Sequence, residues 1–491
     1  MPFSPKASTI CALGFVGFMS SLTAAAAPAA ESADSDLSAW LDSEQAIAAA
    51  KISSNLLPNG ALLASPSRSA PNYYFHWTRD AALTMNVVLD LYSASTTPEE
   101  RSAYLRQAHS YVDFTIQLQA EPTLSGSLDA HYANLGEPKF EVSGRGFNEP
   151  WGRPQTDGPA LRASSLIRIY TLSLQRPDAL LQFKSSLGSL KSAILKDLEY
   201  TAYHWRDQGF DLWEEVRGQH FYNALAQRRA LLDGAAFVKA HPGGGDAARY
   251  LAEARAIEVH LARFWDGQRG HLMPTINRDG GLDYKNSNLD SSIILAALHA
   301  QGEPGYFSAA DDRVLATAHF IRSTFASLYP INKVSRDPKQ RRLAPAIGRY
   351  PEDRYDGNGT SQGHPWFLTT AALAELMYSA AISYDAANQI LITAHNEAFF
   401  ADLALANVTL RRGDLIKRGD TRFLGILIAL LQGGDEYLAR IHLHAANGGD
   451  LTEQFDRYTG FERGARDLSW SYASVLSAAQ ARARLITALR L

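Results

Sequence analysis

The connections between predicted helices alternate between short and long, and this alternation limits the fold more than any other feature of the sequence. Apolar residues recur at helical spacing along most of the 491 residues, as at Leu187, Leu190 and Ile194. Convincing strand alternation is rare, so we expect an all-α chain. The predicted helices cover 37–54, 80–94, 98–119, 159–176, 178–203, 220–240, 246–265, 289–301, 310–328, 364–383, 387–407, 411–432 and 466–488.

Short connections can each reverse one helix onto the next as a tight αα-hairpin. They lie at 95–97, around Pro177, in HPGGGD (241–246) and in GEPGYFS (302–308). The long connections are 55–79, 120–158, 204–219, 266–288, 329–363 and 433–465. If the hairpins form a ring, the six long loops emerge at one end. Long loops in a compact domain are usually functional, so we expect the site at that end.

Composition narrows the class of ligand. The chain is 46% hydrophobic and 20% charged, which is enough apolar material for a large globular core. The net charge is −4 and neither sign forms a long run, so neither nucleic acid nor an acidic surface is indicated as a partner. The fourteen histidines show no metal-binding spacing, so neither a metal nor another cofactor is expected. A neutral ligand fits this composition best.

The N-terminal segment has the pattern of a secretory signal peptide. Lys6 precedes an apolar run to about Leu22, and an alanine-rich tract with A-x-A cleavage options follows. We expect 1–30 to be removed and a catalytic domain to occupy 31–491 of a secreted or periplasmic monomer. A single membrane span is the alternative, but this apolar run is short. No later segment is apolar enough to span a bilayer. The only cysteine, Cys11, lies inside the signal, so the exported chain has no disulfide.

Tryptophan is concentrated in or beside the long loops. The ring face of an aromatic residue stacks on the C–H face of a sugar, while arginines and carboxylates bind sugar hydroxyls, so this pattern favours a carbohydrate cleft. The alternative is that the rings only wedge loop ends against helices. The residues are Trp77, Trp151, Trp213, Trp366 and Trp470.

Two adjacent acids follow one of these tryptophans in GFDLWEEVRGQHFY (209–222). A carboxyl beside Leu212 and Trp213 loses hydration of its charged form, so its pKa rises and it can hold a proton near neutral pH. For an isolated glutamate, a solvated surface position is the commoner alternative. An acid of this pair, Glu214 or Glu215, is therefore a candidate proton donor.

Seven strings in this order resemble the glucoamylases of glycoside hydrolase family 15. They are WTRD (77–80), WGRPQ with DGPALRA (151–163), DLWEEV (211–216), GRYPED (348–353), PWFL (365–368), EQFD (453–456) and ARDLSWSYA (465–473). The resemblance spans about 73–480 and implies an all-α, (α/α)6 barrel. It also implies an exo-acting enzyme that releases β-glucose by inversion from non-reducing ends of starch, maltodextrin or another α-glucan, at α-1,4 and more slowly at α-1,6 bonds.

The resemblance also implies roles for individual residues. Inversion requires a protonated and an ionised carboxyl about 6.5–9.5 Å apart. By resemblance these are Glu214 as general acid and Glu453 as general base, with Glu215 binding substrate. The other substrate-binding residues implied are Tyr73, Trp77, Arg79, Asp80, Trp151, Leu212, Trp213, Arg349, Tyr355, Trp366 and Trp470.

Two of these assignments have structural alternatives. Asp80 precedes a predicted helix and could simply cap its N-terminus. Arg349 could bridge to Glu352 or Asp353 instead of binding a hydroxyl.

Departures from the family pattern leave the preference beyond the first sugar open, including α-1,4 against α-1,6 linkages. They are His76, Thr156, Arg217, Gln219, His364 and a longer loop at 356–363. The last predicted helix ends close to residue 491, so we expect no appended starch-binding module. Asn358 and Asn407 lie in glycosylation sequons, which matter only in a eukaryotic secretory pathway.

Two rival functions remain at this point. A related glycosidase acting on trehalose, dextran or isomalto-oligosaccharides would share both glutamates. A non-catalytic glycan-binding toroid would share the tryptophans but would not need both glutamates. Products from a panel of substrates separate the three.

Overall fold

A computed structural model describes residues 27–300, 306–403, 405, 408–446 and 448–491. Most of the predicted signal peptide, with Cys11, and the Asn407 sequon lie outside the described residues. None of the described helices is both long and apolar enough to cross a membrane.

Helices dominate the described part of the chain. They are α1 (Ala27–Asn55), α2 (Thr78–Ala94), α3 (Pro98–Leu118), α4 (Asp157–Gln175), α5 (Pro177–Phe183), α6 (Leu187–His204), α7 (Phe221–Ala240), α8 (Ala247–Leu261), α9 (Ser292–His299), α10 (Asp312–Leu328), α11 (Phe367–Ala387), α12 (Glu397–Ala401), α13 (Thr421–His444) and α14 (Ser469–Leu489).

Six helices form a closed inner ring. Helices α2, α4, α7, α9, α11 and α14 contact one another in that order, and α14 returns to contact α2. Each inner helix packs against one outer helix. The pairs are α2 with α3, α4 with α6, α7 with α8, α9 with α10, α11 with α13, and α14 with α1. The sixth hairpin therefore joins the first and last of the described helices. This arrangement confirms the predicted (α/α)6 barrel.

Burial follows from a helix's place in the ring. Inner helix α11 is buried on nearly all faces, with Leu368, Leu373 and Leu376 at 1% exposure or less. A helix enclosed by neighbours must be apolar all round, whereas an outer helix needs only one apolar stripe. Outer helix α8 has this pattern, with Tyr250, Ala254, Ile257 and Leu261 buried at helical spacing.

The strands are short, antiparallel and confined to the loops. They are β1 (His76–Trp77), β2 (Lys139–Phe140), β3 (Gly209–Phe210), β4 (Val216–His220), β5 (Trp265–Asp266), β6 (His271–Leu272), β7 (Thr275–Gly281), β8 (Gln389–Leu391), β9 (Leu415–Lys417), β10 (Gln454–Phe455) and β11 (Glu462–Arg463). One sheet has the order β3-β4-β7, and the others are two-stranded pairs. These pairs fix the loops relative to one another.

Two predicted helices, 387–407 and 411–432, are wrong in part. Asn388 takes a left-handed conformation (φ 56°) that ends α11, and β8 then pairs with β9 instead of continuing as a helix. The second helix begins only at Thr421, after glycines at 413 and 419 with φ of 92° and 106°. The segment between α11 and α13 is therefore a β-hairpin of β8 and β9 with α12 between the two strands.

Two other predicted boundaries also differ. The helix predicted to end at 432 continues to His444, so the last long connection is shorter than predicted. The helix predicted at 178–203 is divided into α5 and α6 at residues 184–186.

Candidate active site

The loop ends of the barrel enclose one cavity of about 270 Å³ that contains every predicted site residue. Its lining comprises the two candidate catalytic glutamates, the twelve predicted substrate-binding residues, and Ala64, Gly152 and Leu468. Trp470 also lines a second cavity of about 450 Å³, whose walls come from all six inner helices. The ring of Trp470 therefore lies between the candidate site and the barrel axis, as part of a floor.

A tight turn between β3 and β4 presents Glu214. Its backbone has a left-handed φ of 67°, which costs a non-glycine residue about 1 kcal/mol or more. Asp211 holds the turn: its carbonyl accepts from Glu214 N (2.8 Å), and its Oδ1 accepts from the amides of Glu215 (2.7 Å) and Val216 (2.9 Å). The turn thereby directs two consecutive glutamates into the site.

The carboxyl of Glu214 has several partners. Trp77 Nε1 donates to its Oε1 at 2.7 Å, Gln155 Nε2 donates at 3.1 Å, and Arg79 Nη2 lies 3.6 Å away. Burial raises the pKa of Glu214, and the Arg79 charge and the two donors partly oppose the rise. This carboxyl can hold a proton, and its partners also stabilise the carboxylate that remains after the proton has left.

Glu453 lies in the loop between α13 and α14 and is only 1% exposed. Its amide donates to Ala465 O at 2.8 Å, while its Oε2 has no donor among the described residues. Gly464 is required here, because a Cβ at that position would stand 2.5 Å from Oε2. The glutamate is thus packed tightly by its own loop.

Burial raises the pKa of Glu453 to about 8, although the hydroxyls of Tyr73 and Tyr355 oppose the rise. These two hydroxyls lie 2.9 Å apart at the edge of the cavity. In the apolar pocket the neutral form is favoured. Water and sugar hydroxyls that donate to this carboxyl would favour its charged form.

Arg79 and Asp80 lie in the first turn of α2. Arg79 Nη1 donates to Gln155 Oε1 (2.9 Å) and Asp157 Oδ2 (3.1 Å), and its Nε is 3.4 Å from Asp80 Oδ2. The N-cap position of α2 is Trp77, so Asp80 is not the capping residue. Burial raises the pKa of Asp80 to about 6, against the influence of Arg79. Both side chains line the cavity.

Glu215 is held on both oxygens. Arg349 Nη2 donates to Oε1 at 2.8 Å, and Tyr350 OH donates to Oε2 at 2.7 Å. Arg349 also forms the predicted alternative bridge to Asp353, with two hydrogen bonds of 2.7 and 2.8 Å. The bridge orients the guanidinium without removing it from the cavity wall. Glu352 instead accepts from Ser287.

Sequence reasoning missed a buried lysine behind this wall. Lys285 Nζ lies 3.0 Å from Glu215, 3.2 Å from Asp211 and 3.7 Å from Asp290. Burial disfavours its charge, but these carboxylates outweigh burial and hold its pKa above the usual range. Asp290 in turn accepts from Trp213 Nε1 at 2.9 Å. Lys285 belongs to no recognisable string, so only the fold could reveal it.

The positions that depart from the family pattern support the loops and do not line the cavity. His76 Nδ1 accepts from Leu62 N at 3.1 Å, and His364 Nδ1 accepts from Arg457 N at 3.0 Å. Arg217 pairs with Asp279 at 2.8 Å. Thr156 accepts from Asn223, and Gln219 bonds Arg206 and Asn277. No group of three His, Cys, Asp or Glu residues in the described ranges could hold a metal.

Comparisons with known proteins agree with this geometry. The family model of glycosyl hydrolases family 15 matches residues 44–480. Glucoamylase 1 of Rhizopus oryzae is 37% identical over 92% of this chain and 72% of its own length. An intracellular sporulation-specific glucoamylase of Saccharomyces cerevisiae is 32% identical over 93% of this chain and 86% of its own. The solved glucoamylase of Saccharomycopsis fibuligera superposes with a TM-score of 0.85 at 30% identity, over 91% of this chain and 96% of that structure.

Proposed function

The chain belongs to the glycosyl hydrolases of family 15, and from this premise we propose that it is an exo-acting, inverting glucoamylase with Glu214 as general acid and Glu453 as general base. It hydrolyses terminal α-1,4 bonds, and α-1,6 bonds more slowly, at the non-reducing ends of starch, maltodextrins and related glucans. One observation carries the proposal: buried Glu453 and half-buried Glu214, from different loops, line a single cavity walled by tryptophans.

The reaction needs one proton donor and one acceptor on opposite sides of the sugar. Glu214 gives its proton to the glycosidic oxygen while the bond from C1 to that oxygen breaks and its electron pair stays on the oxygen. Glu453 takes a proton from a water molecule whose oxygen attacks C1 from the opposite face. The products are β-glucose and a chain shortened by one unit. Proton transfer through solvent then returns the two carboxyls to their starting states.

The productive state holds one proton between the two carboxyls. Both pKa values are raised in the protein, and interacting carboxyls titrate as a pair. Substrate hydroxyls and the attacking water donate to Glu453 and favour its ionised form. Glu214 then retains the proton until the leaving oxygen needs it.

The size and floor of the cavity support attack at chain ends. About 270 Å³ is slightly below the usual range for ligand pockets, about 300–1,000 Å³, so the cavity suits a terminal sugar better than a long segment of polymer. Arg79 and Asp80 lie with Trp213 and Trp470 in the wall, where they bind hydroxyls of the terminal glucose. Asp80 lines the cavity and keeps 12% of its side-chain surface exposed, so its carboxyl can accept from a sugar hydroxyl there.

The N-terminal segment supports export of the enzyme. The short apolar run before the alanine-rich tract directs secretion and is cleaved near residue 30, and the mature enzyme acts as a monomer. N-terminal sequencing of the protein recovered from medium or periplasm tests the first point. Light scattering in solution tests the second.

Product analysis tests the function. We expect glucose from maltose and soluble starch, slower release from isomaltose, and little from trehalose or dextran. Proton NMR within the first turnovers should show the β-anomer. Initial release of α-glucose would overturn the inverting mechanism, and failure to hydrolyse maltose would overturn the assignment as a glucoamylase.

A further inference from the structure

A buried lysine lies directly behind the general acid in the described structure. Lys139 is 3% exposed and stands opposite Trp77 in the antiparallel pair of β1 and β2. Its Nζ lies 3.7 Å from the ring centre of Trp151, 4.0 Å from Phe147, 4.1 Å from Phe75 and 4.7 Å from Trp77. Four aromatic rings thus surround one ammonium group.

The surroundings of Lys139 differ from those of the other buried lysine at this site. Lys285 has three carboxylates within 4 Å, whereas Lys139 forms no ion pair with any of the described residues. Glu137 and Glu141 are near in sequence, but Glu137 is paired with Arg153 at 3.0 Å. Burial lowers the pKa of Lys139 to about 8, and Glu214 opposes this more than any other group. The acid of the site is therefore the main electrostatic counterpart of the caged ammonium.

Trp77 connects the two groups physically. An ammonium on an aromatic face is attracted by the ring's quadrupole and withdraws electron density from the ring. The indole N–H of Trp77 becomes a stronger donor as a result, and this N–H donates to Glu214 Oε1 at 2.7 Å. Hydrogen bonding to the charged form of a carboxyl stabilises that form.

We propose that Lys139 is a positioning residue for the general acid: through Trp77 and through its own charge it stabilises the carboxylate left on Glu214 as the proton passes to the leaving oxygen. The inference rests on the proposed function of Glu214. It explains why a charged side chain is buried among aromatic rings, where an apolar residue would avoid the desolvation of an ammonium.

Other groups facing Glu214 do not replace this charge. Arg79 approaches it from α2, but its guanidinium is shared with Asp157 and Asp80. Gln155 from the loop before α4 is neutral. Arg79 lowers the pKa of Glu214 more than Lys139 does, but Lys139 is the cation near Glu214 that has no carboxylate within ion-pair distance among the described residues.

The test compares Lys139→Met with Lys139→Arg in the full-length enzyme. Methionine fills the aromatic cage without a charge, because its thioether packs well against rings, and arginine keeps the charge. For Lys139→Met we expect kcat on maltose to fall about tenfold with little change in KM, which is a part of the roughly 10²–10⁴-fold that general acid–base catalysis contributes. Hydrolysis of α-glucosyl fluoride, whose leaving group needs little protonation, should fall less than about twofold.

The pH profile gives a second readout. Loss of a nearby cation raises the pKa of a carboxyl, so the acid form of Glu214 persists to higher pH in Lys139→Met. The basic limb of kcat/KM for maltose should move upward by about one pH unit. A shift of one unit corresponds to about 1.4 kcal/mol, the same free energy as the expected tenfold change in kcat. Lys139→Arg should keep both the wild-type limb and the wild-type ratio of maltose to fluoride rates.

A surface variant controls for the loss of one charge. Arg206 stacks on Trp205 at 4.0 Å outside the cavity, so Arg206→Met should change neither the substrate ratio nor the pH profile. Equal losses on maltose and fluoride in Lys139→Met, with an unmoved basic limb and a native thermal transition, would overturn the inference. If the wild-type enzyme does not hydrolyse maltose, the proposed function has failed instead.

Discussion

At the scale of single residues, the two glutamates of the site are buried in different ways. Glu214 is surrounded by groups that tolerate its charge, namely Trp77, Gln155 and Arg79. Glu453 has the hydroxyls of Tyr73 and Tyr355 near its carboxyl, and its Oε2 is buried against Gly464 without a donor among the described residues. A proton donor must become charged during the reaction, so prepared partners suit Glu214. A base must reach the attacking water, and Glu453 meets this requirement because its carboxyl lines the cavity.

Exchange of each glutamate for glutamine separates these roles. Glu214→Gln keeps the shape but cannot donate a proton, and Glu453→Gln cannot accept one, so each should lower kcat on maltose by roughly 10² or more with little change in KM. Activity on α-glucosyl fluoride should recover more in Glu214→Gln than in Glu453→Gln, because fluoride needs little acid assistance. Exposed Glu99 on α3 provides the control, and Glu99→Gln should match wild type. Equal recovery in both active-site variants would show that the roles are assigned wrongly.

Residues inside recognisable strings could be predicted, and residues brought in by the fold could not. Trp77, Glu214 and Glu453 each occur in a distinctive string, and the fold places all of them at one cavity. Lys285 reaches Asp211 across 74 positions of sequence. Lys139 could not be predicted as a site residue, because a lysine in a loop usually lies in solvent. Supporting charges of this kind depend on the packing of several loops.

At the scale of elements, the pair Gly433-Gly434 shows why one helix end was predicted wrongly. Two glycines in a helical pattern suggest a stop, because glycine is a poor helix former. In the structure α13 continues through both, and Gly434 lies against the ring of Tyr378 on α11. Here glycine allows close approach of two helices. The sequence alone shows that glycine is a poor helix former, but it does not show which residue of another helix packs against it.

Alanine at two glycines of α13 should have opposite effects on stability. A Cβ at Gly434 would stand 2.3 Å from Tyr378 Cε1, so Gly434→Ala should destabilise by about 1–3 kcal/mol through overpacking. Gly425 has no atom within 4 Å of the added Cβ, so Gly425→Ala should stabilise by up to about 1 kcal/mol through helix propensity. Thermal unfolding followed by circular dichroism measures both. A destabilised Gly425→Ala, or an unchanged Gly434→Ala, would contradict the packing account.

The predicted helix boundaries agree with the structure where a clear helical period is followed by a clear helix breaker. The joints at 95–97 and 241–246 separate helices as predicted. Between 387 and 420 the pattern was ambiguous, since β-branched Ile390 suits the strand β8 in which it lies. A short apolar run there reads equally well as a helix or a strand until its partner strand is known.

At the scale of the whole molecule, the two ends of the chain meet at the loop of the general base. Lys51 of α1 bridges Asp450 (2.6 Å) and Asp467 (2.8 Å), which flank Glu453 in sequence. Asn55 donates to Asp467 O and Ser469 Oγ, both at 2.9 Å. Closure of the sixth hairpin therefore also fixes the active-site loop, so stability and activity depend on the same contacts.

Buried ionisable groups are distributed through the barrel and link its stability to pH. Burial raises the pKa of several carboxyls, among them Glu44 and Glu453 to about 8, Glu375 and Glu462 to about 7, and Asp80 to about 6. Burial lowers the pKa of several histidines, among them His76 and His299 to about 3 and His444 to about 4. Unfolded chains titrate near 4 for carboxyls and near 6.5 for histidine, so the two sets act in opposite directions.

We expect the apparent Tm to be highest near pH 5 and to fall between pH 6 and 8. Above about pH 4 the folded carboxyls hold protons that the unfolded chain has released, so stability decreases with pH until the folded pKa values are passed. The buried histidines are neutral when folded and charged when unfolded below about pH 6.5, so stability rises with pH in the acidic range and this contribution is complete near neutrality. Differential scanning calorimetry from pH 4 to 8.5 measures the sum. Glu453→Gln removes one of the raised carboxyls, so its Tm should exceed that of wild type by an amount that grows from pH 5 to pH 8. A wild-type Tm that rises across pH 6 to 8, or a gain in the variant that does not depend on pH, would contradict the burial of these carboxyls as the cause.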